Sequence, residues 1–308
     1  MKRLFILAAA LLMLAGCGTG TAAGSTGSVT IVDDLGRTVT LDPPTRVAAL
    51  IGSFADIWCL AGGSDTLTAA ANDAWTSFDG LPLDGVVNLG ATKEVSLETL
   101  IASEPDLVLA SCNTEADLDL KPTLEQMGIP VAYFQVSTFE EYLSMLDRCT
   151  QLTGDRDAYE ENGEKVRDQV EAAKARADGS RPSVLYIRVS GSGCKVKNSQ
   201  NNVLGEMLAA LDCRNIADSN TGLLEDLSFE VILQEDPDYL FLVYQSADPS
   251  VAAEVADRML RDNPAWNSLR AVQEGHCYVL DQKLYNLKPN ARWGQAYEEL
   301  ADILYPAS

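Results

Sequence analysis

The sequence predicts an α/β protein built as two Rossmann-like lobes, each with a mainly parallel sheet, joined by one long helix. Three observations predict it. From Arg46 onward short apolar runs alternate with helix-length amphipathic segments, which is the strand, helix, strand rhythm of a parallel sheet flanked by helices. A long charged segment, residues 155–178, interrupts that rhythm near its middle. A stretch ahead of the interruption recurs behind it at a constant offset of 132 residues.

In chain order, residues 1–16 read as an export signal. Lys2 and Arg3 give a positive start, residues 4–15 are apolar, and small residues lead into Cys17. Twelve apolar residues rise only about 18 Å as a helix, short of a ~30 Å hydrocarbon core. Residues 18–28 hold only Gly, Thr, Ala and Ser, so residues 17–28 are expected to be a flexible tether. A first lobe is expected over 29–153, with strands at 47–51, 107–110 and 131–134 and helices at 54–60, 96–102 and 139–152. In 155–178 the apolar residues Val166, Val170 and Ala173 recur at helical spacing, with Gly154 before and Gly179 to Pro182 after. That spacing predicts one unbroken helix of roughly 35 Å, a bridge over 154–180. A second lobe follows over 181–308, with strands at 184–189, 239–243 and 278–280 and helices at 203–211 and 251–260.

The repeat ties the lobes together. Residues 95–110 read VSLETLIASEPDLVLA and residues 227–242 read LSFEVILQEDPDYLFL. Ser96 and Ser228 stand at N-cap positions, followed by apolar helix faces, then Pro105-Asp106 and Pro237-Asp238 turns into buried strands.

Composition narrows the function. Acids outnumber bases 45 to 23, a net charge of −22; cleavage after residue 16 removes two bases and no acid. Such a surface repels phosphate backbones, so no nucleic-acid partner is expected. The single histidine, His276, cannot build the multi-histidine cages that hold bare zinc or manganese, and no metal or cofactor of the protein's own is expected. His276, between Gly275 and an apolar strand, is expected to be structural, and Trp58 and Trp293 to be core. Six cysteines remain after Cys17; they allow fifteen disulfide connectivities, and reduced core thiols fit equally well. There is no G-x-S-x-G elbow, and Gly191 to Lys195 lacks the lysine and hydroxyl placement of a phosphate loop. No catalytic residues are assigned.

Leu14-Ala15-Gly16-Cys17 resembles the lipobox of bacterial lipoproteins, which implies lipidation of Cys17 and a lipid-anchored, extracytoplasmic protein. From Val29 to Pro306 the chain resembles the periplasmic-binding family that captures iron chelates, haem and cobalamin for ABC importers through two lobes and one linking helix. The matching fragments are Asp34-Leu35-Gly36-Arg37-Thr38-Val39, Pro44-Thr45-Arg46-Val47, Ser53 with Asp56, the two repeat copies, and Pro264 to Leu269 running on to Glu274-Gly275-His276-Cys277-Tyr278-Val279.

The resemblance implies a largely pre-formed cleft, an iron chelate (siderophore), haem or corrinoid as ligand, and a monomer that docks on a dimeric permease with its ATPase. It implies docking through one carboxylate per lobe, here Glu98 and Glu230. The simpler account of those two glutamates is helix-dipole stabilisation of under about 1 kcal/mol each, and the two roles are compatible. Ligand sites in such folds lie past the carboxyl ends of strands. That rule selects Phe54 beside Ser53, Trp75, Phe78 and Asn113 in the first lobe. In the second it selects Arg188, Lys195 with Lys197, Tyr244 with Gln245, Tyr285, Lys288 and Arg292. Aromatic rings suit macrocycles and catecholates, and bases suit carboxylates. An extracytoplasmic sensor or adhesion lipoprotein and a surface hydrolase are the alternatives.

Overall fold

The computed structural model describes residues 27–246 and 248–306. The export signal, Cys17 and nearly all of the tether lie outside the described residues. Among the described residues no helix is long and apolar enough to cross a membrane.

The chain opens with an antiparallel hairpin, β1 (Val29–Val32) and β2 (Thr38–Leu41). Its turn is the Asp-Leu-Gly-Arg fragment. The Asp33 carboxylate accepts the N–H groups of Leu35, Arg37 and Tyr133 and the Arg37 guanidinium, while Asp34 accepts the N–H of Gln135 at 2.7 Å. These bonds fasten the hairpin to the outer strand of the first sheet and cover an edge that would otherwise be free to pair. That sheet is wholly parallel. It runs β5 (Val87–Asn88), β4 (Leu67–Ala70), β3 (Val47–Ala49), β6 (Leu107–Ser111), β7 (Val131–Phe134). The second sheet runs β10 (Arg214–Asn215), β8 (Ser183–Ser190), β11 (Tyr239–Tyr244), β12 (Cys277–Leu280), all parallel, with β9 (Gly193–Lys197) antiparallel on β8.

The expected strands and helices are present, their ends moved by a residue or a few. Strands β1, β2, β4, β5, β9 and β10 were not expected. β5 and β10 are two residues each and β4 is Leu-Thr-Ala-Ala, so these three lack the β-branched, alternating pattern that marks a strand, whereas β1 (Val-Thr-Ile-Val), β2 (Thr-Val-Thr-Leu) and β9 (Gly-Cys-Lys-Val-Lys) carry β-branched or alternating residues that the sequence reading passed over.

Alternate residues of each strand point to opposite faces and so divide among three apolar clusters. Ala48, Val108, Ala110 and Tyr133 pack on one face of the first sheet. Leu185, Ile187, Leu240 and Leu242 pack on one face of the second. Between the lobes lies a single continuous cluster. It takes Val47, Leu107 and Phe134 from the first sheet, Val166, Val170 and Ala173 from the bridge, and Val184, Tyr186 and Phe241 from the second sheet.

The bridge is helical from Arg156 to Lys174, but it is not the unbroken helix to residue 178 that the sequence predicts. It comprises an α-turn (Arg156–Tyr159), a π-turn (Glu160–Glu164) and an α-helix (Lys165–Lys174), about 28 Å in all at 1.5 Å per residue. The π-turn sits where buried Gly163 lies against the helix Phe139–Thr153. There the Asn162 carbonyl accepts the Tyr142 hydroxyl at 2.7 Å, and the Asn162 side chain donates to the Leu60 carbonyl at 2.9 Å. The far end docks on the second lobe, where Arg176 bonds Asp302 at 2.6 Å and the Tyr305 carbonyl at 2.8 Å. The bridge is thus held by both lobes.

The duplication holds in space. Ser96 caps the helix Leu97–Ala102 by accepting the Thr99 N–H, and Ser228 caps Phe229–Glu235 by accepting the Val231 N–H. Glu104 and Asp236, one before each Pro-Asp, both have positive φ, 47° and 38°. Asp106 then takes the N–H groups of Thr45 and Arg46, and Asp238 takes the N–H and hydroxyl of Ser183. In both lobes the Pro-Asp carboxylate pins the residues that open the lobe's central strand. All six cysteines in the described residues are free thiols.

Candidate functional site

Each sheet directs its strand carboxyl ends toward the other lobe. Just after β12 the helix Gln282–Tyr285 places Lys283 on Asp79 of the first lobe, 2.6 Å apart. A cavity of about 630 Å³ opens beside this contact, within the usual size range of small-ligand sites. Its first-lobe wall is built from strand ends: Ser53 after β3, Asp73 and Phe78 after β4, Ser111 and Asn113 at the end of β6. Its second-lobe wall is Asn286, Leu287 and Lys288, which follow β12.

Local folding aims these groups. The Asp73 carboxylate accepts the Gly52 N–H at 2.8 Å, which locks the turn after β4 to the turn after β3. A Cβ on Gly52 would lie 2.5 Å from the Ala74 nitrogen, so this approach requires glycine. The Ser111 hydroxyl accepts the Asn113 N–H at 3.1 Å, turning Asn113 into the cavity. Beside that turn, Asp117 is fully buried, accepts the Ser111 N–H at 2.7 Å, and has one carboxylate oxygen without a partner.

Electrostatics are unusual here. Burial pushes the Asp117 carboxyl up to about 7, aided by the Asp73 charge, and burial pushes Asp73 up to about 6. The Lys288 ammonium is held below the usual lysine range by desolvation, which Asp73 and Glu141 partly offset. The walls therefore carry hydroxyl, amide, acidic and basic groups. Glu115, Asp119 and Lys93 complete them at the mouth. Among the described residues no cluster of three or more His, Cys, Asp or Glu side chains could hold a metal ion.

The structure places the sequence-selected residues unevenly. Ser53, Phe78, Asn113 and Lys288 line the cavity. Trp75 stands at its rim, 38% exposed, in a shallow basin of about 380 Å³ that shares Phe78. Phe54 is corrected: its ring is fully buried and meets Phe134 edge-on at 6.0 Å, because the first turn of its helix presents Ser53 to the cavity and turns the next residue inward. Tyr285 is also corrected. It is buried, and its hydroxyl bonds the Ala296 carbonyl and Glu299. The Tyr244 hydroxyl accepts from Arg261 at 3.1 Å, and the ring packs against the outer core of the second lobe. Arg292 is exposed and outside the cavity. Arg188 and Lys195 face each other on β8 and β9, also outside the cavity walls. Glu98 and Glu230 are exposed, each the second residue of its short helix. Trp58 and Trp293 are fully buried as expected. His276 stacks on Tyr239 at 4.9 Å.

Asp73, Lys93, Ser111, Glu115, Asp119 and Asn286 escaped the sequence reading. Asp73 lies two residues before Trp75, which the strand-end rule selects. The signal that pointed to it, a short polar turn after an apolar run, was hidden because β4 is too small-residued to register as a strand.

A cleft at the carboxyl ends of two parallel sheets, walled by both lobes and braced by one helix, defines a two-lobed solute-binding protein. Residues 47–284 match the family model described as periplasmic binding protein, and the chain belongs to that family. It is 23% identical over 304 residues to the putative ABC transporter substrate-binding lipoprotein YhfQ of Bacillus subtilis, covering 93% of each chain. It is 23% identical over 235 residues to the vitamin B12-binding protein of Vibrio parahaemolyticus, covering 75% of this chain and 83% of that one. The periplasmic haem-binding protein RhuT of Roseiflexus sp. RS-1, in apo form, superposes with a TM-score of 0.67 at 22% identity. That match covers 84% of this chain and 97% of RhuT.

Proposed function

We propose that this protein is the extracytoplasmic solute-binding component of an ABC importer, and that it captures a metal chelate or tetrapyrrole in the cleft for delivery to a dimeric permease. The observation that carries the reading is the cavity itself. It is walled by strand ends of both lobes on a frame whose lobes share one apolar core through the bridge. Such a site binds by complementarity with little closure. The family match and the similarity to YhfQ support it. In this reading the chain is a monomer held to the membrane by acyl chains on Cys17, with residues 29–153 and 181–308 as the lobes, and it binds without turning its ligand over.

Docking is assigned to Glu98 and Glu230. Both are exposed, they occupy equivalent positions in the duplicated unit, and neither has an ion-pair partner among the described residues. Two equivalent carboxylates on one chain fit a partner with twofold symmetry, and there they would steer encounter and fix orientation more than they add affinity. Replacing both by alanine is expected to abolish uptake of the chelate by whole cells while ligand affinity of the purified protein stays unchanged. Undiminished uptake by the double variant would remove the docking assignment.

A further inference from the structure

The apolar cluster that runs through the bridge, and the Asn290 side chain bonded to the Ser53 carbonyl and Asp56, hold the two lobes in one frame. A guest that needs more room at the cavity must gain it from a local element of the wall. The loop from Phe78 to Val86, between the helix Asp73–Ser77 and β5, is such an element. Among the described residues, the backbone of Asp79 to Gly85 makes two hydrogen bonds. The Leu83 N–H donates to the Leu81 carbonyl at 2.9 Å and the Val86 N–H donates to the Leu83 carbonyl at 3.1 Å, both inside the loop. One polar contact leaves it: the Asp79 carboxylate accepts from the Lys283 ammonium of the second lobe at 2.6 Å. Gly80 and Gly85 stand at φ 80° and 78°, with no atom within 4 Å of the place a Cβ would occupy, so no packing fixes either turn. Leu81, Leu83 and Val86 rest half-buried against the cluster between the lobes. A segment seated by a few apolar contacts and no ladder bonds lies at the low end of local stability.

The loop also divides two hollows. Phe78, at its root, lines both the cavity of about 630 Å³ and the basin of about 380 Å³, whose other walls include Trp75, Asp79 and Leu81. Elsewhere the cavity rim stands on regular structure, with Glu115 and Asp119 on the helix Glu115–Gln126 and Ser111 at the end of β6. The Asp79–Lys283 pair spans the lobes beside this partition, the Asp79 side chain 85% exposed and that of Lys283 29% exposed. An ion pair so open to water is weak and screened by salt, which suits a contact that must break and re-form. The geometry points to a lid, Phe78 to Val86, latched to the second lobe by the Asp79–Lys283 ion pair, whose release joins the basin to the cavity and admits the guest. The inference rests on the solute-capture reading above for its guest, whereas the lid and its latch belong to the empty protein.

Trp75 reports on the lid, because it walls the basin at 38% exposure while Trp58, Trp266 and Trp293 are at most 1% exposed. Fluorescence quenching of the ligand-free protein by acrylamide, a neutral quencher, is the first measurement. The quenching constant of the wild type is expected to rise between about 0.01 M and about 1 M salt, as the Debye length falls from about 30 Å to about 3 Å. Asp79→Asn should show the high-salt value at every salt concentration. Asp79 is the partner to change, since Arg292 also attracts its charge and Lys283→Gln would leave that attraction in place. Trp75→Phe should abolish the salt response, which assigns it to the lid. Stopped-flow mixing with whichever of ferric citrate, haemin and cyanocobalamin binds is the second measurement. Asp79→Asn should raise the association and dissociation rate constants together, by roughly two- to fivefold, with affinity unchanged, because the latch closes over the empty and the filled cavity alike. A quenching constant that neither salt nor Asp79→Asn moves overturns the lid. So does a variant that loses affinity at an unchanged association rate, which would make Asp79 a ligand contact. If none of the three compounds binds, the quenching alone decides. Failure of the lid leaves the import reading standing, while intact uptake by the Glu98 and Glu230 double variant removes the docking assignment and leaves the lid.

Discussion

Asp117 is an electrostatic anomaly beside the cavity. Its carboxyl is fully buried, with the Ser111 N–H on one oxygen and nothing on the other. Its folded value of about 7 stands well above the ordinary aspartate range, so the folded state keeps a proton that the unfolded chain releases. The stability this contributes is complete at pH values below the unfolded value and is lost as pH rises through about 7. Asp73 adds a smaller effect of the same sign, ending near 6. The melting temperature is therefore expected to fall as pH rises through this window, and Asp117→Asn should flatten that decline; matching slopes for the two proteins would rule Asp117 out as its source. None of this was legible in the sequence, where Asp117 is one of several acids on a polar helix. The same blindness explains Phe54 and Tyr285. Adjacent residues on a helix differ by about 100° in direction, so placing a residue after a strand does not decide whether it meets the ligand or the core.

At the scale of elements, the contact between the bridge and the last helix, Trp293–Leu304, is the tightest. A Cβ on Gly294 would lie 2.0 Å from the Gln169 Oε1 atom and 2.7 Å from its Cβ. Gly294→Ala must push the two helices apart and is expected to cost about 1–3 kcal/mol, read as a lower urea midpoint; an unshifted midpoint would mean the bridge is not seated as described. The bridge was legible because Val166, Val170 and Ala173 recur at helical spacing, and all three are buried. Its π-turn was not, since it answers to Tyr142 and Leu60 on elements remote in sequence. The duplicated unit was legible because an N-cap serine and a Pro-Asp turn act on their immediate neighbours.

At the scale of the whole molecule, the lobes are tied by apolar packing and by polar contacts. One cluster of apolar side chains runs through the bridge. Beside it, buried Asn290, at φ 54°, donates to the Ser53 carbonyl at 3.0 Å and to Asp56 at 2.7 Å. A frame so braced should rock little. Small-angle scattering is expected to give the same radius of gyration before and after saturation with whichever of ferric citrate, haemin and cyanocobalamin the protein binds, and Asn290→Ala should let a difference appear; compaction of the wild type on binding would contradict the braced frame. The order of strands and helices, the repeat and the polar bridge were determined by the sequence alone, because periodicity, capping and turn chemistry act over a few residues. Which side chains wall the cavity, and that Arg188 and Lys195 stand opposed with no counter-charge among the described residues, was decided by the tertiary structure. Both depend on strand register and helix rotation, which are settled by packing between segments far apart in the chain.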